Sequence, residues 1–125
     1  MSKTVAPVEV RTPVDGPNCQ IWKWLDIDAG DTITPLVVGF ATDITVVFIK
    51  GSAFGGNMSL PGTCDPDPLT ASYVTLKDGS YTAISGISAD AIRDVAEAVY
   101  AIAPAAASGA AGVNVWAKLS NRRGT

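Results

Sequence analysis

Near the C-terminal end, over residues 112–120, Val113, Val115, Ala117 and Leu119 alternate with Asn114, Trp116, Lys118 and Ser120. A period of two is that of a strand with one buried face. A second run, residues 44–50, puts Ile44, Val46 and Phe48 on one face and Val47 and Ile49 on the other. Both faces are apolar, which predicts a central strand covered on two sides. Shorter strand-like stretches occupy residues 20–25, 32–38, 58–60, 73–76, 81–84 and 99–103. Pro35 interrupts the second of these and assigns it to a sheet edge, and Pro104 ends the last. Turn chemistry separates the strands: Ala29-Gly30-Asp31, residues 39–43, the irregular stretch 62–68 and the Asp78-Gly79 hairpin signal. Gly55-Gly56, within residues 51–57, demands a positive φ or a close backbone approach.

Residues 88–99 depart from this pattern. Ile92, Val95 and Val99 have helical spacing, with Ser88 as N-cap and Asp90 in the first turn. They predict a short helix, with an irregular or β connection as the alternative. In the first 18 residues, Pro7, Pro13, Gly16 and Pro17 break regular structure while Val5, Val8, Val10 and Val14 keep it adhesive. This is an extended arm that packs along its own domain or a neighbour. The expected architecture is an all-β, antiparallel, jelly-roll-like β-sandwich over residues 19–125, preceded by an arm over 1–18.

Composition narrows the function. With 125 residues, 47% hydrophobic and 17% charged, the chain suits one globular domain. Nine basic and twelve acidic residues, with no basic stripe, argue against a nucleic-acid partner. The sequence has no histidine, which removes Ser-His and Cys-His nucleophiles and His-ligated metals. Carboxylate, Lys or Tyr chemistry would remain, but no motif points to an enzyme or a cofactor. Residues 98–117 carry no charge, yet Pro104, Ser108, Gly109, Gly112 and Asn114 speak against a membrane span. Residues 1–11, with Lys3, Glu9 and Arg11, lack the apolar run of a secretory signal. Cys19 and Cys64 are expected as small, partly buried hydrophobes, with a single disulfide as the alternative.

Candidate chemistry is sparse. Asp26, Asp28 and Asp31 suggest calcium, but Gly30 and Asp31 fall where an EF-hand needs Asp and Gly, so turn formation is the better reading. Asp65 and Asp67, each followed by proline, are turn formers, and nothing places them beside the first group as a catalytic pair. Residues 51–56 lack the ending of a phosphate-cradling loop. Trp22, Trp24 and Trp116 are expected as core or interface anchors, with a sugar-stacking platform as the alternative. Arg122 and Arg123 are a solvated tail or a contact to an acidic surface.

A series of short motifs, taken in order, carries a resemblance. They begin with Trp22-x-x-Leu25, Gly30-Asp31-Thr32 with Pro35, and Asp43-x-Thr45-Val46. Gly51-x-x-Phe54-Gly55-Gly56, Leu60-x-Gly62-Thr63, and Tyr73-x-Thr75-Leu76 with Asp78-Gly79 follow. The series ends with Tyr100-Ala101-Ile102-Ala103-Pro104, the Ser108–Gly112 turn and the strand closing at Arg122. In this order the chain resembles small β-rich head decoration proteins of tailed bacteriophages. It departs from them at Gly62-Thr63-Cys64-Asp65-Pro66 and at Ala103, where such proteins carry a Gly-Ser-Asn-Asp-Gly stretch and an arginine. The resemblance implies a virion protein on the outer surface of the head, present in the host cytoplasm during assembly. It would bind the major capsid protein across capsomer boundaries, with no catalytic or cofactor residues and no membrane partner. Self-association as a homodimer or homotrimer is expected, and truncating the arm is expected to weaken attachment with the domain intact. Expected contacts are Val5, Val8, Val10 and Arg11 of the arm, Trp22, Trp24, Phe54 and Trp116, and Arg122 and Arg123. A carbohydrate-binding module and a tail or fibre component are the alternatives.

Overall fold

In the computed structural model, which describes residues 3–10, 19–39, 41–65, 67, 72–97 and 99–120, the alternating stretch forms the central strand β13 (Val113–Ser120). β13 lies between β3 (Cys19–Ile27) and β6 (Asp43–Ile49), antiparallel to both. β2 (Val8–Val10) and β10 (Ala91–Asp94) complete a five-stranded sheet in the order β10-β6-β13-β3-β2. A second sheet, β5-β11-β8-β9, holds β5 (Leu36–Val37), β11 (Ala101–Ile102), β8 (Pro61–Thr63) and β9 (Val74–Thr75). Two small pairs link the layers: β1 (Thr4–Val5) runs parallel to β4 (Thr32–Ile33), and β7 (Met58–Ser59) antiparallel to β12 (Ala105–Ala106). The described residues contain no helix. The fold is an all-β sandwich, as the strand spacing predicts.

One core joins the layers. Trp24, Val46, Phe48, Val113 and Val115 from the large sheet pack with Leu36, Leu60, Leu76, Ile84 and Ile102 from the other side. The predicted alternation holds: Val113, Val115, Ala117 and Leu119 are all fully buried. Removing such side chains from water is the main force holding the sheets together, at about 1.5–3 kcal/mol for each large one.

Four expectations need correction. The helix expected over residues 88–99 is instead β10, pairing Ala91 with Phe48 and Arg93 with Val46. Pairing wins because β6 would otherwise expose a row of unpaired backbone groups, and a short isolated helix is marginal. The segment expected as irregular over 62–68 begins with paired backbone, β8, before it becomes a loop. Residues 81–84 form no strand beyond a single bridge between Lys77 and Ala83. Finally, β6 is an interior strand, between β10 and β13, but covered on one face only: Ile44, Val46 and Phe48 are buried, while Ile49 is 40% exposed. The second sheet covers the inner face, and nothing in the described chain covers the outer one.

The described part of the arm, residues 3–10, packs along its own domain, one of the two courses the sequence left open. β1 pairs Thr4 with Thr32 and Val5 with Ile33, and Val5 enters the core. β2 then forms the edge of the large sheet beside β3. Residues 4–10 are therefore built into the sandwich, and their removal would uncover the β3 edge and open a gap at Val5. Pro35 acts as predicted, splitting its stretch into β4 and β5, which join different sheets.

Candidate interaction surface

The outer face of the large sheet follows from the register. Val8, Lys23, Trp116, Val47 and Ile92 stand in one row across all five strands. Val10, Ile21, Lys118, Thr45 and Asp94 form the next row. Val8 is 55% and Ile92 64% exposed, so the apolar row reaches from one sheet edge to the other. Between these rows and Ile49 lies an open hollow whose charged lining residues are Lys50 and Lys118. The Lys23 ammonium sits 5.3 Å from the centre of the Trp116 ring, a cation–π contact that holds the indole against the sheet. Lys23, Lys50 and Lys118 form no ion pair among the described residues.

A bulge decides which side chains reach this face. Between β3 and β13 the register slips, so that Ile27 pairs with Val113 but Trp24 with Val115. The extra residue is accommodated at Asp26, which takes φ 59°. Aspartate tolerates this left-handed conformation better than most residues, and the Asn114 Oδ1 accepts its backbone N–H at 2.9 Å. The bulge returns Ile27 to the core.

The structure separates the expected contact residues. Val8, Val10 and Trp116 lie on the outer face. Trp22 points inward against the core, with its Nε1 donating to Gln20 Oε1 at 3.0 Å. Val5, Trp24 and Phe54 are corrected from contacts to core residues: all three are buried, and the Trp24 Nε1 donates to the Thr34 carbonyl at 3.0 Å. Arg11, Arg122 and Arg123 lie outside the described residues. With Trp24 at 0% exposure and Trp116 on the opposite face, the three tryptophans do not share a sugar-stacking surface. Cys19 and Cys64 are not joined by a disulfide.

The aspartate loop turns out to be a latch for the arm. Lys3 Nζ donates to Asp28 Oδ2 and Asp31 Oδ2, both at 2.8 Å, and the Lys3 backbone N–H donates to Asp31 Oδ1 at 3.0 Å. Asp31 Oδ2 also accepts the Asp28 N–H, and Asp28 Oδ1 accepts the Gly112 N–H, each at 2.8 Å. The lysine ammonium thus occupies the position a cation would take between these carboxylates. No group of three or more acidic or thiol residues suited to a metal occurs among the described residues. Asp65 and Asp67 act as the turn formers expected, Asp65 Oδ1 accepting the Asp67 N–H at 2.8 Å. The lysine partner was not legible in sequence, because it comes from 25 residues away.

The Lys3 hydrogen bonds hold the Asp31 carboxyl down to about 2 and push the lysine ammonium above its usual range. A depressed carboxyl stabilises the fold above its ordinary value of 3.8 and loses that contribution as pH falls through its folded value. The arm should stay latched from neutral pH to about 4 and loosen as pH approaches about 2. Thr34, whose N–H donates to the Val5 carbonyl, reports this directly by amide hydrogen exchange. Full protection of that amide at pH about 2 would count against the latch.

No family model matches the chain, and no curated protein matches it. Among solved structures, the crystal structure of SPBc2 prophage-derived protein YomS shares the fold, with a TM-score of 0.61 at 13% identity, covering 85% of this chain and 97% of that one. At that identity the likeness concerns the fold alone, and it takes in nearly the whole of the second protein.

Proposed function

We propose that this protein is a structural component of a bacteriophage particle that binds the outer surface of the head and cements neighbouring capsomers of the major capsid protein. The observation that carries this reading is the near end-to-end fold match with a prophage-derived protein, joined to the ordered motifs that resemble head decoration proteins. The sandwich itself suits the task. Two sheets around one hydrophobic core deform little, and residues 3–10, latched to their own domain, present a fixed shape. Repetition over a symmetric shell makes weak contacts add through avidity. The role needs no catalytic group, metal or cofactor, and the protein acts as a dimer or trimer.

The test is co-sedimentation with expanded, undecorated heads of the phage that encodes it. Binding should saturate at a fixed number of copies per head and raise the resistance of the heads to heat. Absence of the protein from the pelleted heads would end the decoration reading.

A further inference from the structure

We infer that the outer face of the large sheet is the shell-docking surface, and that its partner is a surface of the shell protein carrying an apolar side chain flanked by carboxylates. This rests on the decoration reading and deepens it by naming the contact and its chemistry.

Three observations converge. The first is the apolar row itself. Outer faces of antiparallel sheets are ordinarily polar, since water covers them. Here Val8, Trp116, Val47 and Ile92 occupy positions where a solvated face would carry polar groups. The second is charge. The chain carries net −3, yet the charged residues lining the hollow are lysines, and neither they nor Lys23 are paired within the described chain. An apolar floor beside Lys50 and Lys118 complements an acidic rim, while the one carboxylate in the two rows, Asp94, stands at the β10 edge and accepts the Thr45 hydroxyl at 3.0 Å.

The third observation is size and symmetry, which argue against a second copy as the occupant. Five strands and the length of β13 span about 19 Å by about 24 Å, roughly 450 Å², against about 800 Å² per partner in a standard stable interface. A face this small suits many weak contacts on a lattice better than one lasting dimer. A two-fold axis along β13 would set Lys118 against its own copy. An axis along the Val8–Ile92 row would do the same for Lys23. Like charges so opposed disfavour both arrangements.

The experiment measures head binding by co-sedimentation for the unaltered protein, for Lys50→Glu with Lys118→Glu, and for Trp116→Ala. Val74→Glu, at an exposed position on β9 of the second sheet, is the control. Urea midpoints establish that each variant is folded, and Trp116→Ala keeps a readout should the charge reversal disturb folding. Both face variants should weaken binding by about tenfold or more, and the control by less than about twofold. If the unaltered protein binds heads and the folded variants bind equally well, this face is not the docking surface and the decoration reading survives alone. If the unaltered protein does not bind, both fail. Sedimentation velocity of the same samples covers the other occupant: an oligomer that dissociates on charge reversal would show a second copy on this face and overturn the proposal.

Discussion

Gly56→Ala should destabilise the fold by about 3 kcal/mol. A Cβ built on Gly56 meets the Ala110 nitrogen at 2.5 Å and the Ser108 oxygen at 2.6 Å. Both are backbone atoms, so no side chain can swing aside to make room. The surrounding hydrogen bonds resist displacement as well. Phe54 N–H donates to the Ser88 carbonyl, Ala107 N–H to the Asn57 carbonyl, and Ala111 N–H to the Phe54 carbonyl, at 2.8–3.1 Å. The two glycine-containing loops therefore interlock main chain to main chain, and separating them breaks bonds that seat Phe54 in the core. Gly79→Ala is the comparison, because nothing lies within 4 Å of its added methyl. That change should stay within about 0.5 kcal/mol. Urea unfolding of both variants checks the contrast, and equal midpoints would show that the close approach does not constrain the fold.

Trp24→Ala should cost about 3–5 kcal/mol. The indole is fully buried opposite Val115, and its Nε1–H satisfies the Thr34 carbonyl in the link between β4 and β5. Truncation would leave a large void at the point where the five-stranded sheet meets the strands of the other layer, and would strip that carbonyl of its donor. Trp116→Ala removes the same atoms from the outer face and should cost much less stability, about 1 kcal/mol. Denaturant midpoints of the two variants separate core from surface tryptophan. A Trp24 variant as stable as the Trp116 variant would contradict the burial described above.

These two tryptophans mark the boundary between what sequence and tertiary structure determine. Local pattern puts Trp116 on the polar face of an alternating strand, but it leaves Trp24 undecided, because both faces of residues 20–25 mix polar and apolar side chains. Strand parity predicts that Trp22 and Trp24 share a face, and they do. Which face turns inward depends on where the second sheet lies. The bulge at Asp26 adds to this, because one inserted residue re-aims Ile27 and a period-two count cannot anticipate it.

The sequence by itself determined the fold class, the interior position of β6 and the single buried face of β13, because hydrophobic periodicity and turn residues are local properties of a chain. It also determined that Gly55-Gly56 needs an unusual approach, since only glycine lets two backbones touch, although its contact at residues 108–110 emerges only in the folded molecule. Tertiary structure decided the rest. Residues 91–94 became a strand because a sheet edge was there to be paired, against their helical spacing. Asp28 and Asp31 acquired Lys3 because a parallel pairing of β1 with β4 carries the arm past their loop. The outer row from Val8 to Ile92 exists only through the register of five strands drawn from five separate stretches of chain. Each is a long-range pairing, and the free energy that selects it comes from partners that no local window of sequence contains.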